Sequence, residues 1–190
     1  MADTIPDFDA DGLLPNGDYE VTFDELRQSI LAIGPEDKSL YPNWDSAWRV
    51  WLVDQLEVMT RQLWEVGVTD VFADGSFAED KDHPNDIDGY FVCDKAELAS
   101  GKLTQELNLL DPQKVWTWDP ATRKPYVGYP KLQLPMWHVY RVELYPHWPG
   151  LHSGIKDKYG NELEFPSAFR QSRRDGRPRG IIKLIDGVKS

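Results

Sequence analysis

Phe72-Ala73-Asp74-Gly75-Ser76-Phe77, then nine residues after Ser76, then Asp86-Ile87-Asp88, is the stretch whose reading decides the fold of this chain. Val68 to Ala73 is short, apolar and β-branched, which predicts a buried strand. The strand runs into Gly75-Ser76. A glycine at a strand end lets backbone approach a ligand closely, because no Cβ intrudes. N–H groups at such a turn suit a phosphate, and Ser76 adds a hydroxyl donor. Asp86 to Val92 alternates and reads as a second strand. Asp86 and Asp88, at i and i+2, therefore point to one face. Two neighbouring carboxylates repel unless a proton or cation is shared. Hard cations such as Mg²⁺ take oxygen ligands and keep substrate phosphates in their shell. The pattern reads as a site for a metal-bound triphosphate, the arrangement used in two-metal phosphoryl and nucleotidyl transfer. The competing reading is a turn followed by two solvated aspartates at a strand end.

Working outward, Asn43 is positioned to cap a long helix running to about Val66. Trp44, Trp48, Trp51, Leu52, Leu56, Met59 and Leu63 recur along it at spacings of three and four. This stripe reads as core, with cofactor stacking as the alternative. Thr22-Phe23-Asp24-Glu25 fits a capping box that opens a short helix to about Ile33, where Gly34-Pro35 ends it. Downstream, residues 94–109 are helix-like with a break at Gly101, and Val115 to Trp118 reads as a short strand. Thr117 to Met136 carries Pro120, Pro125, Pro130 and Pro135, which predicts an extended loop or irregular hairpin. Trp137 to Tyr145 alternates as a strand. A short helix near Ser167–Ser172 and a strand near Ile181–Ile185 complete the pattern. The expected class is α+β: a two-layer mixed sheet with helices packed on one face. We read a single domain over 1–190. It has an acidic N-terminal extension over 1–42, a core over 43–145 and a C-terminal extension over 146–190 with a basic cluster.

The chain has 190 residues, 41% hydrophobic and 28% charged, a globular rather than disordered balance. Formal net charge is −11, which argues against non-specific DNA binding by bulk charge while leaving room for a local basic patch. No apolar run approaches the roughly 20 residues of a membrane span. The first residues have neither a basic nor an apolar signal region, so a cytoplasmic location is expected. A single cysteine, Cys93, excludes an internal disulfide and a cysteine-built zinc cage.

The residues Gly75-Ser76 and Asp86-Ile87-Asp88, at this spacing, resemble the signature of the DNA polymerase beta-type nucleotidyltransferase superfamily. In that pattern a third carboxylate lies on a later, adjacent strand, and Glu143 in Val139-Tyr140-Arg141-Val142-Glu143-Leu144-Tyr145 matches it. Further cues lie in Ile5-Pro6-Asp7-Phe8, Gly12-Leu13-Leu14-Pro15, Pro84-Asn85 and Asp175-Gly176-Arg177-Pro178-Arg179-Gly180-Ile181-Ile182-Lys183. With these the whole chain resembles a small nucleotidyltransferase-like family of bacteria and their phages. The resemblance implies a nucleotidyltransferase-like sheet. It also implies transfer of NMP from an NTP to a hydroxyl of a protein, RNA or small molecule. Gly75 and Ser76 would hold the β- and γ-phosphates. Asp86 and Asp88 would bind Mg²⁺ or Mn²⁺, and Glu143 would help position the metal and activate the acceptor. The alternative it allows is a weakly catalytic or non-catalytic member, an antitoxin or phage-defence component acting through a protein partner. Three departures stand out: Asp74 before the glycine, Gly89 after Asp88, and Glu rather than Asp at 143.

Arg170, Arg173, Arg174, Arg177, Arg179 and Lys183 lie within fourteen residues of an acidic chain. Arginine forks suit phosphate, so the cluster reads as a clamp on a triphosphate, on RNA or on an acidic partner surface, with Arg173 and Arg174 as the candidate triphosphate ligands. The other reading is a solvated turn that offsets the acidic N-terminus. His83, His138, His147 and His152 have no metal-fixing spacing. Cys93 reads as a small buried hydrophobe. Tyr126 and Tyr129 either pack their own loop or cover a base.

Overall fold

The structure, a computed structural model, describes residues 5–187. The chain begins with β1 (Asp18–Val21), α1 (Phe23–Gln28), α2 (Ile30–Ile33) and α3 (Ser46–Glu65). Next come β2 (Val71–Asp74), a 3₁₀ turn (Gly75–Ala78) and β3 (Ile87–Val92), then α4 (Lys95–Ala99), α5 (Lys102–Leu110) and α6 (Pro135–Tyr140). β4 (Val142–His147), the strands β5 (His152–Lys156) and β6 (Glu162–Glu164), α7 (Phe165–Phe169) and β7 (Ile181–Leu184) complete it. The class is mixed α+β, as expected.

Five strands form one mixed sheet in the order β1-β7-β2-β3-β4. β7 is parallel to β1 and antiparallel to β2, while β3 is antiparallel to β2 and parallel to β4. The stretches that read as terminal extensions thus each put a strand into this sheet, and β7 lies inside it. One sheet face (Val71, Ala73, Ile87, Phe91, Val142, Leu144, Ile182 and Leu184) packs on the α3 stripe of Leu52, Leu56, Met59 and Leu63. Those four residues are core, and removing their apolar surface from water is the main stabilising term; of the tryptophans expected in the stripe, Trp48 is half-buried, Trp51 is exposed and Trp44 lies before α3. The opposite face carries Phe72, Tyr90 and Ile181, covered by Phe165 and Phe169 of α7. Helices therefore lie on both faces, not one, because Phe72, Tyr90 and Tyr145 give the second face an apolar patch that also needs cover.

Several local expectations shift for identifiable reasons. Asp45, not Asn43, caps α3 and accepts from Trp48 N at 3.0 Å. The Thr22–Glu25 capping box is present, but Ser29 in extended backbone splits the expected helix into α1 and α2. Trp137 to Tyr145 is not one strand. Pro135 starts α6, and Arg141 at φ 55 turns the chain into β4. Residues 115–118 are no strand, because Trp116 bonds side chains instead: its N–H to Asn108 Oδ1 at 3.0 Å and its indole to Gln62 Oε1 at 2.6 Å. β1 and the β5–β6 pair escape the sequence reading.

Candidate active site

β2, β3 and β4 lie side by side, and their registers set the site. Asp74 stands opposite Asp88, and Asp88 is level with Glu143 on β4. Asp86 is two residues before Asp88 on the same face. Four carboxylates thus cross the second face of the sheet at its upper end, beyond the Phe72–Tyr90–Phe169 patch. A cavity of about 600 Å³ opens over them, lined by Asp86, Asp88, Glu143, Tyr145, Arg123 and Arg173 among others. An adjoining one of about 400 Å³ is lined by Gly75, Ser76, Asp86, Asp88, Arg173 and Arg174. The seven residues singled out from sequence line these two connected spaces.

Gly75 has φ +78, and a Cβ there would lie 2.9 Å from Asp88 Oδ2. Only glycine permits both the left-handed turn and that approach. Gly89 is explained the same way: a Cβ would meet Phe72 O at 2.2 Å, so β2 leaves no room for an apolar side chain after Asp88. The 3₁₀ turn is held from behind by Arg49 of α3, which is fully buried. Its guanidinium donates to the carbonyls of Phe77 and Leu31, and to Lys81 O at 2.7 Å, and stacks on Trp44. Burial pulls Arg49 down to about 9. Buried charge persists here because three carbonyls receive it.

The carboxylates have different partners. Asp74 is wholly buried and bonded to Arg179 at 2.6 Å, and its Oδ1 has no partner among the described residues. Burial pushes it up to about 8, against the pull of the Arg179 charge. Arg179 also donates to Glu79 Oε1 at 2.5 Å and to the carbonyls of Gly75 and Phe169, so it locks the turn to α7. Asp86 accepts from the Trp137 indole at 2.7 Å. Burial raises its pKa, Trp137 opposes that rise, and the Glu143 charge adds to it. Glu143, 5% exposed, is held by two hydrogen bonds, from Leu134 N–H at 3.1 Å and the Tyr145 hydroxyl, and by an ion pair with Arg123 at 3.5 Å. Asp88 alone has no hydrogen bond or ion pair among the described residues. Burial and the charge of Asp86 push it up to about 7. Among the described residues, no three His, Cys, Asp or Glu side chains stand close enough, as arranged, to enclose a cation.

The two candidate arginines differ. Arg173 is exposed, has no ion pair among the described residues and lies at the mouth of both cavities, whereas Arg174 is engaged by Glu79 at 2.5 Å and Asp80 at 3.7 Å. Lys131 also lines both spaces. Trp137, Tyr145 and Arg123 were missed as site residues, and Arg179 was read only as one of the basic cluster. Tyr145 had a readable signal, since it is i+2 from Glu143 on a strand. Trp137 had none, because its indole reaches Asp86 across fifty-one positions. Cys93 is partly buried against the core, and its thiol is pushed up to about 11.

The chain belongs to DUF6932, a family of unknown function, whose profile matches residues 6–185. No curated protein and no solved structure matches it. No helix of the described residues is long and apolar enough to cross a membrane.

Proposed function

We propose that this chain is a divalent-cation-dependent nucleotidyltransferase of the DNA polymerase beta type, moving NMP from an NTP to an acceptor hydroxyl. One observation carries the reading. Asp86, just before β3, Asp88 on β3 and Glu143 on the neighbouring β4 line a single cavity that opens onto the Gly75-Ser76 turn. The donor set suits a hard cation. It is all oxygen, and Asp88, unpartnered and crowded by like charge, is a carboxylate that a cation would relieve. Asp86 and Asp88 would hold Mg²⁺ or Mn²⁺, with Glu143 beside them. When bound, the ion supplies charge neutralisation and polarises phosphoryl oxygens.

The chain's own groups have separable tasks. The Ser76 hydroxyl, Lys131 and Arg173 bind and orient the triphosphate. Arg179 and Arg49 keep the turn in place. Trp137 fixes Asp86, while Tyr145 and Arg123 fix Glu143. In the reaction the acceptor oxygen bonds to the α-phosphorus and the bond from that phosphorus to the α–β bridging oxygen breaks. Pyrophosphate leaves and the hydroxyl proton passes to water.

A second reading is favoured by a specific observation, the two hydrogen bonds and the Arg123 ion pair that occupy Glu143. It is a nucleotide-binding protein with little turnover, acting through a partner. One experiment separates the two. Protein is incubated with labelled NTPs, Mg²⁺ or Mn²⁺, and candidate acceptors. Transfer that Asp86→Asn and Asp88→Asn abolish supports the enzyme. Binding without transfer supports the second reading. Neither binding nor transfer refutes both.

A further inference from the structure

One of the two hydrogen bonds that occupy Glu143 comes from a group that is itself a hydroxyl. Tyr145 lies two residues further along β4, so its side chain leaves the sheet on the same side as that of Glu143. Its ring stacks on Phe165 of α7, with 5.2 Å between centres and 14° between planes, which fixes where the phenol end points. That end donates to Glu143 Oε2 and accepts from Arg123 at 3.4 Å. It lies in the wall of the cavity that Asp86 and Asp88 also line.

The other hydroxyls of the site are engaged elsewhere. Four hydroxyl side chains line the two connected cavities: Ser76, Tyr129, Tyr145 and Ser153. Ser76 belongs to the triphosphate turn. Ser153 donates to Leu163 O at 2.6 Å. Tyr129 lines only the cavity beside that turn and packs on Trp137. Of the four, Tyr145 alone donates to Asp86, Asp88 or Glu143. A group that takes a proton must stand within hydrogen-bond reach of it. An incoming acceptor would have to present its hydroxyl to a carboxylate that is 5% exposed and whose Oε2 already holds the phenol.

We infer that Tyr145 is itself an acceptor, and that the chain nucleotidylates its own phenol. The inference rests on the nucleotidyltransferase reading and names a hydroxyl that reading would use. The phenol oxygen bonds to the α-phosphorus of the NTP, the bond from that phosphorus to the α–β bridging oxygen breaks, and pyrophosphate leaves. The proton passes along the existing hydrogen bond to Glu143 Oε2 and on to water. The product is an aryl phosphodiester that leaves a nucleoside monophosphate in the cavity and removes the phenol donor from Glu143. Each chain therefore takes up one equivalent and stops. The ring is pinned inside its own cavity, so the step occurs within one chain.

The test is intact-mass spectrometry of the full chain incubated with each NTP and Mg²⁺, followed by peptide mapping. The expected result is a gain of one nucleoside monophosphate per chain, located on Tyr145, with a fractional rate that does not change as the protein is diluted. Tyr145→Phe keeps the ring stack and should lose the adduct completely. Glu143→Gln should slow adduct formation about 100-fold or more. Binding is read separately as thermal stabilisation by NTP with Mg²⁺, which Tyr145→Phe should retain. If that variant fails to fold, the wild-type peptide map decides alone. No adduct, an adduct on another residue, or a fractional rate that falls on dilution overturns the inference. If NTP still stabilises the fold and label still reaches added acceptors, self-modification fails and nucleotidyl transfer stands. If stabilisation is absent as well, both fail.

Discussion

Arg179→Met probes the scaffold that places the site. The guanidinium, 3% exposed, joins Asp74, Glu79, Gly75 O and Phe169 O. Methionine keeps much of the stem's volume but removes every donor. Glu79 retains Arg174. Asp74, wholly buried, retains no cation. Because Asp74 holds its proton below about 8, the variant leaves buried polar atoms without their donor rather than a bare charge, at about 1–3 kcal/mol. For a chain of this length that is a Tm loss of roughly 2–12 °C, at about 2–4 °C per kcal/mol. The loss should depend on pH. Asp74 in the folded wild type already titrates near 8, above its ordinary 3.8, and without Arg179 it moves higher still. A folded state that holds a proton the unfolded chain releases loses stability as pH rises above about 4. Wild type shares that slope until its own Asp74 releases near 8, so the variant's deficit should be larger at pH 9.5 than at pH 5, by scanning calorimetry. Adding Asp74→Asn should recover much of it and remove the pH dependence. A deficit equal at both pH values, or no recovery by Asp74→Asn, would contradict this account of the pair.

Gly75→Ala should cost about 1–3 kcal/mol in urea unfolding, because φ +78 strains alanine and the new Cβ meets Asp88 Oδ2 at 2.9 Å. Unchanged stability would refute the close approach. Trp137→Phe removes the donor that holds the Asp86 pKa down. Mn²⁺ binding, followed by electron paramagnetic resonance, should weaken most on the acid side and recover toward wild type as pH rises, whereas a loss equal at every pH would indicate general disruption. Asp88 titrates near 7 in the folded chain, above its ordinary 3.8, so its contribution to stability falls as pH rises between those values. Mg²⁺ should raise Tm more at pH 8 than at pH 5, and Asp88→Asn should abolish that difference.

The local signals were the legible ones. The α3 stripe repeats every three or four residues, and the β2–turn–β3 segment combines β-branched residues, a glycine and alternation. Both were readable because the determinants lie within one element. The insertion of β7 between β1 and β2 was not readable. Ile181 pairs with Asp18 across most of the chain, and parallel pairing leaves no turn signature between the strands. The Trp137–Tyr145 segment misled because alternation also fits a short helix followed by a strand. Only Pro135 and the left-handed Arg141 mark the change. In the site, Asp86, Asp88 and Gly75 follow from spacing. The Asp74–Arg179 pair does not, since a carboxylate before a turn glycine reads as solvated until the sheet closes over it.

The central claim is tested most directly by a crystal structure of the protein soaked with a nonhydrolysable NTP and Mg²⁺. The account predicts cation density bridging Asp86 and Asp88, and phosphates against Gly75, Ser76 and Arg173. Clear density for both side chains with no nucleotide at saturating concentration, or nucleotide bound away from them, would contradict it.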